Sequence, residues 1–524
     1  MDQKSDISSS HNAEKGLVET IVHEEHGGHS DDRQSLASSV DEKKLIRKID
    51  WTLIPWLSFL YFLSFLDRTS IGNAKLYNME EDLHLTDTQY LICLTVFFFS
   101  YTIFEVPSNI FLKRLRPSIW LSFTIFCWGI MMASLLHNYG GLLGMRWMLG
   151  MFEAGLFPGV SYLLSCWYKR SELGFRSAIF FSAATVSGAF GGLLAAAISN
   201  MDGVGGKPGW QEFDIFSFRA WISILEGLLT VIAGVASFYF VQDFPNNAKI
   251  LNDDERAFII RRLQSDNQFS AAGESLRRKY IIQSLTDWKT WNGMLMFMGA
   301  NGPLYAFSLF LPSIVNQLGF TATPANLLTV PVYVMGCICT CAVGFMADRV
   351  GNRGYFAFFD CLDEEAAFTG YLILIFSRNA ALSYFAVFLG ASGIYPLIVS
   401  LSTWMANNVE GSYKRSVTLA MCISFGNLNG AVSSNVYRAR DAPWYTLGHG
   451  IVLTYIGLGF IASAVYSFRL RAENLRRARG ERDEIIVGED EIKQGMNSKN
   501  GTYETIEEAK REKGDQWSGY KYTL

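Results

Sequence analysis

Four ionisable residues stand inside stretches that are otherwise apolar. Asp67 and Arg68 occur in SFLDRTSIGNA, and Arg146 and Glu153 occur in GLLGMRWMLGMFEAGLFPGVSYLL. A charge in an apolar setting is costly, and where it persists the usual reason is function. A carboxylate there can take up and release a proton. An arginine can hold a carboxylate ligand by both oxygens through its planar fork. Arg146 and Glu153 are seven residues apart, which on a helix puts them on one face two turns from each other. Gly150 and Gly155 flank Glu153 and leave room for a neighbouring helix. One reading pairs Asp67 with Arg146 and leaves Arg68 free to meet an anion. The plainer alternatives are a structural buried pair in the fourth stretch and an interfacial Asp-Arg doublet ending the first.

The elements that must position these residues are set by composition. The chain has 524 residues, 50% hydrophobic and only 18% charged, with a mean hydropathy of +0.16. Apolar residues gather in runs at about 50–70, 89–111, 118–136, 141–167, 175–199, 219–241, 291–316, 324–347, 355–376, 380–404, 416–436 and 446–468. Each is at or near the ~20 residues that cross a bilayer as a helix. This excludes a soluble multidomain enzyme and a disordered chain, and it makes the lipid bilayer an obligatory partner. The expected fold is all-α, with twelve transmembrane helices in two bundles of six. The expected units are a disordered N-tail at 1–44, bundles at 45–241 and 291–468, a charged central loop at 242–290 and a polar C-tail at 469–524.

Basic residues cluster after the second, fourth, eighth and tenth runs, as in Lys113, Arg114 and Arg116 or Lys414 and Arg415, and again in the central loop and C-tail. The positive-inside rule then places both termini in the cytoplasm. The first 40 residues lack an apolar signal segment, so the first span is expected to direct insertion itself. His23, His26 and His29 in HEEHGGH read as part of a solvated tail rather than a metal site. The eight cysteines all fall within apolar runs and form no disulfide framework.

Further polar residues sit along the runs. Glu105, in YTIFEVPSN, is expected to pair with basic residues of a cytoplasmic loop. In GFMADRVGNR, Gly344, Asp348, Arg349, Gly351 and Arg353 read as a tight gating loop between the eighth and ninth spans. Asn301, Tyr305, Asn427 and Asn429 are candidates to complete a central cavity, although residues of these types more often bond helix to helix. No cofactor motif is present. The string GVGGKPG at 203–209 has Pro208 where a phosphate-binding loop needs a hydroxyl, so ATP drive is disfavoured. A net charge of -4 argues against a nucleic-acid partner. Transport driven by an ion gradient remains.

The combination of FLDRTSIGNA, TVFFFSYTIFEVPSN, RWMLGMFEAGLFPG, DRVGNRG and YRARDAPWYTLGHG resembles the fungal branch of the major facilitator superfamily. More closely it resembles the anion:cation symporters of the allantoate, nicotinate and pantothenate permease type, over about residues 45–470. That resemblance implies proton-coupled symport of a small organic anion or carboxylate-bearing vitamin. It implies substrate contact by Arg68, protonation of Glu153, and Asp67 with Arg146 as a coupling pair. The alternatives are a non-transporting nutrient sensor on the same scaffold and a drug:proton antiporter. The stretch before span six is longer than the family's usual connection. Span nine also departs from the family, with Asp360, Asp363, Glu364 and Glu365 in mid-membrane; a locally irregular or atypical segment is expected there, with a cation site as the alternative.

Overall fold

A computed structural model of the chain describes residues 41–76, 84–133, 138–169, 172–199, 216–265, 278–320, 322–350, 355–438, 441, 444–487 and 500–524. The expected N-tail with its histidines, the stretch at 203–209, Gly351 and Arg353 lie outside the described residues. Every apolar run coincides with helix. The first half contains α1 (Glu42–Leu76), α2 (Asp87–Leu115), α3 (Pro117–Met132), α4 (Tyr139–Glu153), α5 (Leu156–Trp167), α6 (Leu173–Ser199) and α7 (Phe216–Phe240). Then come α8 (Asp253–Ser265) and α9 (Arg278–Thr286) in the central loop. The second half contains α10 (Trp288–Gln317), α11 (Ala322–Val350), α12 (Tyr355–Phe376), α13 (Ala380–Asn407), α14 (Ser412–Ser433) and α15 (Thr446–Ala478), and the tail carries α16 (Ile506–Lys513). Among the described residues, eight helical spans are long and apolar enough to cross a membrane, with α4 and α5 together forming one of them.

The fourth span breaks at its carboxylate. Pro158 has no N–H to offer the carbonyl of Ala154, so the helical ladder fails there. Helix α4 therefore ends on Glu153 and α5 begins at Leu156. The two glycines act as expected. A Cβ on Gly150 would collide with Ser100 and the Phe97 carbonyl of α2, and one on Gly155 would collide with Ser108. Backbone is thus pressed against backbone where the charged residue emerges.

The halves meet along two antiparallel helix pairs. On one side Gly344 of α11 abuts Ala178 and Gly174 of α6, Gly188 of α6 faces the ring of Tyr333, and Gly192 faces Asn326 and Thr329. On the other, Gly430 of α14 lies under the ring of Phe98 in α2, and Thr102 donates to the Ser424 carbonyl at 3.3 Å. Helix α11 runs to Val350, so Gly344, Asp348 and Arg349 occupy its last turns rather than a loop. Gly344 serves close helix contact, and Arg349 lies over the Phe345 ring at 4.8 Å.

Span nine is not irregular. Helix α12 is continuous, because Asp360, Asp363 and Glu364 at i, i+3 and i+4 share one face. That face is buried, while Glu365 is exposed. Ser463 of α15 donates to Glu364 at 3.3 Å. Both oxygens of Asp360 lack a hydrogen-bond partner among the described residues.

The end of the molecule that carries the basic loops is tied together by ion pairs. In the first half, Arg176 grips Asp50 through two bonds of 2.7 and 2.9 Å, and Arg262 of α8 bonds Glu42 and Glu172. In the second half the C-terminal segment docks into the bundle. Asp515 is buried between Lys289 and Lys414, and Lys414 also reaches Asp287 at 2.8 Å. Arg477 donates to the carbonyls of Asp515, Trp517 and Tyr520, while Trp404 and Asn408 hold the carbonyl of Thr523. Burial alone would raise the Asp515 carboxyl, but the two lysines outweigh it and hold the group below the usual carboxylate range. The stabilisation is therefore complete above the ordinary carboxylate range and fades only as pH falls toward the lower folded value. Tail docking should accordingly be unchanged between about pH 5 and pH 8. Asp515→Asn should cost about 3 kcal/mol by leaving two buried lysines with one carboxylate. Limited proteolysis should then release the segment after residue 480 faster in the variant than in the wild type.

Candidate functional site

Helix α1 brings Arg68 to the seam between the halves. Adjacent residues on a helix point about 100° apart, so Arg68 faces the seam while Asp67 turns back into its own bundle near Trp128. Arg68 Nε donates to Glu153 Oε1 at 2.6 Å, and Ser64, one turn earlier, also donates to Oε1. The second arm of the guanidinium donates to Tyr305 Oη of α10 at 3.0 Å. Tyr305 Oη donates to Asn427 Oδ1 of α14 at 2.6 Å, and Asn301 donates to the same oxygen at 3.2 Å. Asn427 then returns across the seam, donating to both oxygens of Glu105 in α2 at 3.3 and 3.1 Å. One continuous polar chain, Glu153–Arg68–Tyr305–Asn427–Glu105, thus crosses between the halves twice.

This arrangement corrects several sequence expectations. Arg68 is not free, because Glu153 occupies it. Asp67 and Arg146 form no ion pair among the described residues, and Asp67 Oδ2 and Arg146 Nε lack hydrogen-bond partners. The reason is rotational. Depth was read correctly, but residues 67 and 68 face different sides, and the seam side belongs to the arginine. Glu105 does not reach a basic loop. It is fully buried and bound to Asn427. Asn429 donates to the carbonyls of Phe425 and Gly426 within its own helix and takes no part in the chain. Arg146 does line the central cavity beside Arg68 and Tyr305.

Aromatic residues that sequence reasoning passed over complete the site. The Arg68 guanidinium lies 4.8 Å from the Tyr101 ring, 5.3 Å from Phe65 and 5.5 Å from Phe97. Such ring faces stabilise a cation in a low-dielectric setting. Their signal was present in TVFFFSY, where Phe97, Phe98 and Tyr101 fall at i, i+1 and i+4, but it is indistinguishable from ordinary core packing. Ser64 was equally silent. The cavity that remains is about 20 Å³, room for about one water molecule. That space is too small for an organic solute.

A twelve-helix, two-bundle architecture with a buried polar chain across its central seam is that of a membrane transporter rather than an enzyme. The family model described as Major Facilitator Superfamily matches residues 57–464. The chain belongs to that superfamily. It is 34% identical over 500 residues to the MFS-type transporter cnsO of Penicillium expansum, covering 91% of this chain and 93% of that one. It is 32% identical over 437 residues to the high-affinity nicotinic acid transporter of Saccharomyces cerevisiae, covering 83% and 79%. The fold is shared with the proton:xylose symporter XylE solved with 6-bromo-6-deoxy-D-glucose. That match has a TM-score of 0.64 at 12% identity and covers 82% of this chain and 96% of that one.

The Arg68–Glu153 contact should be energetically coupled. Removing one partner strands a buried charge at a cost of about 3–5 kcal/mol, and removing both relieves most of it. Thermal unfolding of Glu153→Gln, Arg68→Gln and the double variant should therefore give a coupling energy of about 1–3 kcal/mol. Additive effects would mean that the pair contributes nothing as a unit.

Proposed function

We infer that this protein is a proton-coupled symporter of a small organic anion or carboxylate-bearing nutrient, working by alternating access. The observation that carries the reading is the occupied Arg68. Among the described residues its one carboxylate partner is Glu153, whose second oxygen, Oε2, has no hydrogen-bond partner there and is the position for an incoming proton.

The coupling follows from charge balance. An anion arriving at Arg68 while Glu153 is ionised would put two negative charges on one buried cation. A proton arriving alone would neutralise Glu153 and leave Arg68 uncompensated, at a cost of about 3–5 kcal/mol. Proton and anion together restore a single ion pair, so each favours the binding of the other. Tyr305 of the opposite half accepts from Arg68 and in turn donates to Asn427, to which Asn301 also donates. A substrate that replaces Glu153 on the guanidinium is therefore sensed across the seam. In this mechanism Glu153 protonates on the outer side, the anion docks at Arg68, the halves rock, and the proton leaves to the cytoplasm. Arg146, lining the same cavity, adds positive potential for the anion, and Asp67 offsets it from behind.

The basic loops and tail put both termini in the cytoplasm by the positive-inside rule, and nutrient uptake by this route implies the plasma membrane. The similarity to a nicotinic acid transporter supports a carboxylate as the solute class. Two arginines at the cavity argue against a cationic drug as cargo.

Uptake of a panel of labelled organic acids into cells expressing the protein, with and without a protonophore, tests the reading. At least one monocarboxylate should accumulate at acidic external pH and fail to accumulate once the gradient is collapsed. Glu153→Gln should abolish pH-driven accumulation while retaining anion exchange, and full concentrative uptake by that variant would sink the mechanism. Arg68→Ala should raise KM by on the order of 100-fold through loss of the charge-assisted fork. Gradient-independent binding without uptake would identify a sensor instead.

A further inference from the structure

The docked C-terminal segment borders a second, open cavity, far larger than the central one. About 690 Å³ lies between the ends of α10 and α15 and the tail, within the ~300–1,000 Å³ range of small-molecule sites. Its charge is unbalanced. The buried lysine-aspartate cluster of Lys289, Lys414, Asp287 and Asp515 is neutral in itself. Lys513 is matched by Glu484 at 2.6 Å. What remains on the wall is Arg469, Arg476, Arg477 and Arg482 against the single carboxylate of Glu473.

Glu473 is committed chiefly to Arg482, which it binds through two bonds of 2.8 and 3.0 Å. Arg477 reaches it only at 3.6 Å and Arg476 at 3.9 Å. Arg477 spends its donors on tail carbonyls. Arg469 faces the Trp288 ring at 5.3 Å and makes no ion pair among the described residues. The C-terminal dipole of α15 offsets about half a positive charge, so an excess of more than two positive charges stays in the cavity. Arg469 and Arg476 present exposed guanidinium forks into it, the geometry that matches phosphate oxygens.

Phe468 is 75% exposed beside Arg469 on the rim, and Trp291, one turn along α10 from the lining Trp288, is 56% exposed with its indole N–H bonded to the Leu285 carbonyl. Exposed aromatic rings of this kind populate the membrane interface.

We propose that this cavity binds a ligand carrying two or more phosphate groups, held by Arg469 and Arg476, and that such a ligand locks the C-terminal segment onto the second helical bundle. The chemistry is shared by a phosphorylated lipid headgroup and by a soluble polyphosphate. Because the tail forms one wall, the complete site exists only while the tail is docked, and ligand binding must stabilise the docked state. The site is separate from the transport seam and does not depend on the identity of the solute.

The test uses the full-length protein in phosphatidylcholine nanodiscs, with the rate of proteolytic release of the tail as readout. Soluble inositol hexakisphosphate is added in one arm, and a small fraction of phosphatidylinositol 4,5-bisphosphate is included in the bilayer in the other. At about 100 times Kd, release should slow by on the order of 100-fold. Protection by the soluble probe assigns a free polyphosphate, protection by the lipid alone assigns a headgroup, and both outcomes support the site. Arg469→Gln combined with Arg476→Gln leaves the Arg477 and Arg482 contacts intact. It should therefore preserve basal tail docking while weakening binding about tenfold or more through two lost charge-assisted bonds. Absence of protection in both arms, or equal affinity in the double variant, overturns the proposal.

Discussion

The buried ion pair between Arg68 and Glu153 is the constraint on which the arrangement of the two halves depends. Neither charge is tolerable alone in that setting, so whatever the molecule does must keep the guanidinium matched to one negative charge. The pair lies wholly within the first bundle, yet its second donor arm reaches into the other bundle through Tyr305. A local electrostatic requirement becomes a tie across the seam, because the Arg68–Tyr305 and Asn427–Glu105 bonds exist only when the halves are together. Replacing the carboxylate of Glu153 by one from a ligand satisfies the same requirement in a different geometry. Such an exchange is what a bistable machine needs, since it alters the stability of the closed state without exposing an uncompensated charge.

Close approach elsewhere makes that tie effective. Helices α6 and α11, and α2 and α14, meet through glycine and small polar residues, so the seam closes tightly enough to leave about 20 Å³ around Arg68. Arg68 and Glu153 are both buried there, and burial strengthens the attraction between them. The break in the fourth span serves the same end. By ending α4 on Glu153, Pro158 places the carboxylate at a helix terminus, where its rotamer is set by Arg68 and Ser64 rather than by a continuous helical face.

The opposite design governs the basic end. There the charges are numerous, mostly paired, and devoted to anchoring connecting segments onto the helix ends. Asp515 draws the C-terminal segment over the second bundle as Arg262 draws the central loop over the first. The tail is therefore a folded part of the transporter, and the cavity beneath it carries positive charge that its own partners leave unmatched.

Much of this was legible in the residue order. Runs of apolar residues at spanning length dictate helices regardless of context, because a backbone in hydrocarbon must satisfy its own hydrogen bonds. Cost dictates that Arg68, Arg146 and Glu153 be more than decoration. Glycine spacing foretold the close packing at Gly150 and Gly155. What the order of residues could not specify was rotation and partner choice. Whether Asp67 or Arg68 faces the seam depends on how α1 is turned against its neighbours. Whether Glu105 meets a loop arginine or Asn427, more than 300 residues away, depends on how two bundles dock. The acidic face of α12 and the docking of Asp515 were opaque for the same reason. A linear pattern fixes which residues are near in depth, but only tertiary packing decides which side of a helix is interior, and that decision assigns every buried charge its partner.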